Sequence, residues 1–135
     1  MKTASYTLIP ATQFGVATEN YDGVSEEFTG VPIKAAAYYL KAKGLQTSSW
    51  YIAGFQGKIE LEGTLDTNSD SENYFTISSA MIGNIPDAEI QIFPYPTYPP
   101  VTENNAENIE GNFTWIRAKV TRFTAGSITK VSLGY

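Results

Sequence analysis

Alternation of apolar and polar side chains is the feature that most constrains the fold of this chain. It is clearest between Lys58 and Leu65. A period of two puts successive side chains on opposite faces of an extended strand. The pattern therefore predicts a half-buried antiparallel strand. Its inward face would hold Ile59, Leu61, Gly63 and Leu65, and its outward face Lys58, Glu60, Glu62 and Thr64.

The last third of the chain shows a similar alternation over residues 113–123. Residues 124–127 then contain Gly126 and small side chains, which is typical of a turn. Residues 128–133 are again rich in β-branched side chains, so we expect them to run back as the hairpin partner of residues 113–123. The residues predicted to face the core are Ile116, Ala118 and Val120.

Several shorter segments also favour strands. Val31–Tyr39 is compatible with a strand or, through its three alanines, with a short helix; Pro32 and the paired tyrosines favour an edge strand. Ser49–Phe55, Tyr74–Ile77 and Ala88–Phe93 are rich in aromatic and β-branched residues. The fold class predicted is all-β, an antiparallel β-sandwich or jelly roll of about seven or eight strands.

Two segments interrupt the strand pattern. Residues 1–27 have only short apolar pairs and are predicted to be an extended N-terminal arm, with the β-sandwich domain over residues 28–135. Pro94–Pro100 lacks the N–H groups for a central strand and is predicted to be a polyproline-like loop. Exposed apolar and tyrosine side chains in both segments suit protein contacts. The interface candidates are Tyr6, Leu8, Ile9, Phe14, Tyr95 and Tyr98.

Composition bounds the chemistry of the chain. Its formal net charge is −5 and its basic residues are scattered, which argues against direct nucleic-acid binding. No apolar run reaches the length of a membrane span. Histidine and cysteine are both absent, so the usual pairings of nucleophile and base cannot form. Paired carboxylates stay available, but the expectation is a chain without enzymatic activity or cofactor.

An acidic turn resembles a calcium loop in its spacing of oxygen ligands. The candidate ligands are Asp66, Asn68, Asp70 and Glu72. The sixth position is Ser71, where the calcium motif needs glycine, and the twelfth is Ile77, where it needs glutamate. A solvated hairpin turn without metal is therefore the favoured interpretation.

The aromatic residues allow two interpretations. Tyr38, Tyr39, Trp50 and Tyr51 would suit an aromatic platform that binds a sugar. Core packing is the simpler explanation for Trp50 and Trp115, because large aromatic side chains dominate the cores of small β domains.

Three groups of residues resemble a known module in their order along the chain. They are Ala36–Tyr39 with Leu45–Ser49, Ile52–Ile59 with Leu61–Leu65, and Ile109–Val120 with Gly126–Ile128 and the closing Tyr135. Together they resemble a β-sandwich module of virion structural proteins of tailed bacteriophages, notably those that infect marine cyanobacteria. The chain departs from that module in a longer loop at about residues 83–106 and in the N-terminal arm.

The resemblance implies a non-enzymatic structural protein located in the virion, as capsid decoration or as a tail, neck, baseplate or fibre component. Its expected partners are other virion proteins and further copies of itself, and neither nucleic acid nor membrane. The resemblance brings no catalytic residues. The alternative function is a carbohydrate-binding β-sandwich module on a receptor-binding or secreted protein.

Overall fold

The computed structural model describes residues 5–39, 44–77 and 100–135 of the chain. Eight strands and one short 3-10 helix occur in these ranges. The strands are β1 (Ser5–Ile9), β2 (Thr12–Gln13), β3 (Phe28–Thr29), β4 (Ile33–Lys34), β5 (Leu45–Thr64), β6 (Phe75–Thr76), β7 (Val101–Glu110) and β8 (Trp115–Gly134), and the 3-10 helix is Ala36–Tyr39. All the strand pairs are antiparallel, so the predicted all-β antiparallel fold is confirmed.

Two strands of 20 residues each, β5 and β8, form the centre of the sheet. They pair from Thr47 opposite Gly134 to Thr64 opposite Trp115. The predicted hairpin between residues 113–123 and 128–133 is therefore wrong, because the chain continues through Gly126 as one strand. Gly126 has a φ of +85°, which suits a tight turn and a β-bulge equally. The glycine signal alone does not distinguish the two.

A bend divides both long strands near their middle. In β5 the pairing register shifts between Ala53 and Lys58, and Gly54 has a φ of +58°. In β8 the matching irregularity includes Arg122, whose φ of +52° is unusual for a residue with a side chain. Bulges of this kind bend and twist a sheet without ending it. The predicted strands on either side of Gly57 are consequently two halves of β5.

The outer strands pair on either side of this central pair. Strands β1 to β4 all pair with β8, whereas β6 and β7 pair with β5. The sequence does not indicate β7, because most of its side chains are polar and exposed, as expected of a strand at a sheet edge. The predicted strand over Val31–Tyr39 is correct only for Ile33–Lys34, since the chain then turns into the 3-10 helix.

The N-terminal residues join the two halves of the curled sheet. The Gly30 amide donates to the Ala118 carbonyl at 2.8 Å, and the Val31 amide donates to the Leu8 carbonyl at 3.0 Å. Ala118 lies in the first half of β8, whereas Ile9, which follows Leu8, pairs with Val131 in the second half. The contacts of Gly30 and Val31 therefore link the two halves of β8. A single core lies within the curl and includes the predicted inward residues Ile59, Leu61, Ile116, Ala118 and Val120. Leu65, also predicted to face inward, is exposed beyond the end of β5.

The prediction of a separate arm over residues 1–27 does not fit this arrangement. Leu8, Ile9 and Tyr21 have 0% exposed surface and pack in the chain's own core. Leu8 and Ile9 are therefore wrong as interface candidates. Their apolar run is too short to indicate a core strand by itself, and only pairing with the distant β8 buries it.

Replacing Leu8 by alanine should lower the free energy of unfolding by about 2–5 kcal/mol, because it leaves a cavity in a filled core. Val24 comes from the same N-terminal region but is 82% exposed. The matched Val24→Ala variant should change stability by less than about 0.5 kcal/mol. Urea denaturation of the two variants measures the difference. Equal, small effects would mean that the N-terminal segment is an arm after all.

Candidate binding cleft

The two ends of β8 meet at one end of the molecule and form a cleft there. Trp115 begins β8 and pairs with Lys34, while Tyr135 follows its last residue. Tyr6 on β1 lies opposite Leu133, which brings its ring beside Tyr135. The cleft has a volume of about 230 Å³. Its lining residues are Tyr6, Pro32, Ile33, Lys34, Trp115 and Tyr135.

Aromatic rings and one cation shape this cleft. The Tyr6 and Tyr135 ring centroids are 5.4 Å apart, and those of Tyr38 and Trp115 are 5.6 Å apart with an edge-to-face geometry. The Lys34 ammonium lies 4.7 Å from the centroid of the Tyr38 ring and 5.9 Å from that of Trp115. These distances allow cation–π attraction, which holds Lys34 against the rings.

Hydrogen bonds inside the chain fix the orientation of two of the rings. The Tyr135 hydroxyl donates to the Lys34 carbonyl at 2.7 Å, and Trp115 Nε1 donates to the Thr67 carbonyl at 3.1 Å. The indole N–H and the phenol O–H thus have partners within the protein. The cleft consequently presents the apolar surfaces of these rings to a ligand.

The predicted interface residues are distributed over several places. Tyr6 lies in the cleft, and Leu8 and Ile9 lie in the core. Phe14 is 43% exposed at the bend, where its ring meets that of Phe123 edge-on at 5.6 Å. Tyr95 and Tyr98, with the Pro94–Pro100 loop and the predicted strand over Ala88–Phe93, lie outside the described residues apart from Pro100.

The two tryptophans differ in environment. Trp50 is 7% exposed and donates from Nε1 to Glu103 Oε1 at 3.0 Å, so its predicted place in the core is confirmed. The same prediction is wrong for Trp115, which is half-buried in the cleft. Tyr51 is half-buried, with the Lys130 ammonium 5.6 Å from its ring centroid. The described contacts thus pair Tyr38 with Trp115 and place neither of them beside Trp50 or Tyr51.

The acidic turn is closed by its own hydrogen bonds. The Asp66 carboxylate accepts from the Ser71 hydroxyl and from Asn73 Nδ2, and these bonds lower the pKa of Asp66. Asn68, Asp70 and Glu72 are exposed. Within the described ranges, no three side chains of the metal-binding types gather around one point. The geometry gives the calcium interpretation no support.

The acidic side chains on the face of the sheet near β6 are paired with bases. Glu62 accepts from Arg117 Nε at 2.9 Å, and Glu60 lies 2.9 Å from the Lys58 ammonium. The Arg117 guanidinium also stacks 3.8 Å from the centroid of the Tyr74 ring, and burial raises the pKa of Tyr74. Such pairing suits a structural role for these side chains.

Comparison with known proteins gives little similarity. No family model matches the chain, and no curated protein matches it. Among solved structures, it is similar to a family 29 carbohydrate-binding module from Piromyces equi, with a TM-score of 0.41 and 9% identity over 98% of this chain and 91% of that one. Similarity at this level establishes neither a shared fold nor a shared function. No helix in the described ranges has the length and hydrophobicity needed to cross a membrane.

Proposed function

We propose that this chain is a non-enzymatic structural component of a tailed-phage virion, acting through contacts with other virion proteins. The ordered motifs that resemble the phage module support the virion assignment. The aromatic cleft is the single structural observation that most favours a binding role. Exposed tyrosine and tryptophan side chains bury much apolar area at small entropic cost, which is why interfaces are rich in them.

The distribution of polar groups supports binding over catalysis. Histidine and cysteine are absent from the sequence. Among the described acidic residues, Glu60, Glu62 and Asp66 are engaged with partners within the chain. A reaction would need an acid or base directed into the cleft, and Lys34 is the only charged residue among the described residues that line it.

Purified phage particles test the proposed function. Mass spectrometry of virions, from a phage whose genome encodes this chain, should find it at a fixed copy number relative to the major capsid protein. A Trp115→Ala, Tyr6→Ala double variant should be incorporated at about one tenth of that level or less, since loss of central aromatic contacts costs more than about 1.4 kcal/mol.

Val24→Ala is the control for incorporation, because Val24 is exposed and does not line the cleft. Absence of the wild-type chain from particles would refute the virion assignment. Normal incorporation of the double variant would show that the chain assembles through another surface.

Carbohydrate binding is the second candidate function, favoured by the same cleft. Aromatic faces such as those of Trp115 and Tyr6 can stack against sugar rings. A glycan array separates this candidate from the first. Binding to a defined glycan by the wild-type chain, lost in the Trp115→Ala variant, would support it, and an array without signal would remove it.

A further inference from the structure

We infer that the bend of β8 carries a second binding site, which takes a neutral oligosaccharide. This site goes beyond the proposed assembly role and shares no lining residue with the aromatic cleft. It consists of two adjoining clefts that are both lined by Gln13 of β2 and by Ser127, the residue of β8 that pairs with it. Their volumes are about 370 and 540 Å³, within the range of about 300–1,000 Å³ that is typical of small-ligand sites.

The lining of the two clefts is polar but uncharged. Besides Gln13 and Ser127, Thr18 and Thr129 line the smaller cleft, and Phe14 lines the larger one. None of the described residues that line either cleft has a charge. An ionic ligand would lose part of its hydration here without gaining a counter-ion, which costs free energy. The clefts therefore suit a neutral ligand.

Three of these polar side chains have hydrogen-bonding capacity to spare. Gln13 and Thr129 are exposed and Ser127 is half-buried, and no hydrogen bond within the described part of the chain engages their side-chain polar atoms. An amide group and a hydroxyl group each donate and accept, as the hydroxyl groups of a sugar do. In the aromatic cleft, by contrast, the Trp115 indole and the Tyr135 hydroxyl already donate within the chain. The bend thus suits a ligand with many hydroxyl groups better than the aromatic cleft does.

Phe14 supplies the apolar surface that a sugar ring needs in addition to hydrogen bonds. Its side chain is 43% exposed, and its ring centroid lies 5.6 Å from that of the buried Phe123. The C–H face of a sugar ring can stack against an exposed aromatic ring. Because Gln13, Phe14 and Ser127 line the same cleft, stacking and hydrogen bonding act on one ligand there.

Backbone hydrogen bonds hold this surface in a fixed shape. The Phe14 amide donates to the Gly126 carbonyl at 3.0 Å, which ties the end of β2 to the bend. The next amide, that of Gly15, donates to the Tyr21 hydroxyl at 3.0 Å, and Tyr21 is fully buried in the core. A site whose shape exists before binding loses less conformational entropy when the ligand binds.

An array of neutral and acidic oligosaccharides tests the inference with the full-length chain. The wild-type chain should bind neutral glycans more tightly than acidic ones. Calorimetry with the neutral glycan that gives the strongest signal then measures the affinities of variants. The Phe14→Ala variant should bind at least about tenfold more weakly, the loss expected when a stacked ring is removed.

Phe75→Ala is the matched control for Phe14→Ala. Phe75 is 45% exposed, and its ring centroid lies 5.9 Å from that of Phe113, so it resembles Phe14 in exposure and in having a ring partner. It lines neither cleft at the bend. The Phe75→Ala chain should therefore bind the glycan as the wild type does.

Gln13→Ala provides a test that does not depend on the Phe14 ring. It should weaken binding about three- to tenfold, because it removes hydrogen bonds to the sugar and leaves the contact between Phe14 and Phe123 intact. Circular dichroism checks that each variant is folded, and Gln13→Ala replaces Phe14→Ala if the latter unfolds. Val24→Ala, at an exposed position outside both clefts, is the control and should bind normally.

NMR spectroscopy of the ¹⁵N-labelled wild-type chain locates the ligand. The same glycan should shift the side-chain amide signals of Gln13 and the backbone amide signal of Ser127. The indole signal of Trp115, which reports on the aromatic cleft, should stay in place.

Four results would each overturn the inference. They are the absence of glycan binding, binding of acidic glycans as tight as that of neutral ones, equal binding by the Phe14→Ala and Phe75→Ala chains, and a glycan that shifts only the Trp115 signal. None of these results depends on whether the chain is found in particles, so virion composition tests the proposed function separately.

Discussion

Replacing Gly126 by alanine should lower the free energy of unfolding by about 3 kcal/mol or more, because the new side chain would both strain the backbone φ and clash with neighbouring backbone atoms. The φ of Gly126 is +85°, in the region that residues with a side chain avoid. A Cβ placed there would lie 2.2 Å from the carbonyl oxygen of Gly54 and 2.6 Å from the Phe55 amide nitrogen. Neither atom belongs to a flexible side chain, so the two long strands would have to separate at the bend.

Gly54→Ala is the matched control for this substitution. Gly54 lies at the same bend with a φ of +58°, yet a Cβ there would meet no other atom within 4 Å. Only the conformational strain remains, so we expect a loss of about 1 kcal/mol. Guanidinium denaturation of both variants measures the contrast. Equal effects would show that β5 and β8 do not approach each other at Gly126 as described.

Phe123→Ala should cost about 3–5 kcal/mol of stability, as removal of a fully buried aromatic ring does. Phe123 has no exposed surface and lies at the bend of β8. Its ring centroid is 5.5 Å from that of Phe55, 5.3 Å from that of Tyr21 and 6.0 Å from that of Phe28. These neighbours come from β5, from β3 and from the loop before it, so one ring holds three parts of the chain together.

Phe14→Ala provides the comparison for Phe123→Ala. It removes the same type of side chain and the contact between the Phe14 and Phe123 rings, but Phe14 is partly exposed. A loss of about 1 kcal/mol is expected from that single aromatic pair. Thermal unfolding followed by near-ultraviolet circular dichroism reports both variants. If Phe123→Ala were no more destabilising than Phe14→Ala, the core would not be centred on the bend.

The sequence predicts the strand faces because alternation is a local property. Ile59, Leu61, Ile116 and Val120 alternate with polar side chains and are buried as expected, but Glu62 and Thr64, which were predicted to face outward, are buried as well. The continuity of β5 and β8 could not be predicted in the same way. A glycine with positive φ, such as Gly126, serves a turn and a bulge alike, and only pairing with a distant strand decides between them.

Burial of the N-terminal segment and formation of the cleft also depend on distant pairing. Leu8 and Ile9 form too short an apolar run to indicate a core strand. Tyr6 and Tyr135 are far apart in sequence and meet only because β1 pairs with the end of β8. The sequence indicates Tyr6 as a contact residue but predicts that Trp115 lies in the core, because nothing local in the sequence distinguishes a core tryptophan from one in a cleft.

We propose that this chain contacts other virion proteins through its aromatic cleft. Site-specific photo-crosslinking in intact particles tests this proposal directly. A photoreactive phenylalanine analogue replaces Tyr6 in the cleft, and the same analogue at the exposed position Val24 is the control. We expect a defined cross-link from position 6 to a virion protein and none of comparable yield from position 24. Particles that contain the chain but give no cross-link from position 6 would contradict it.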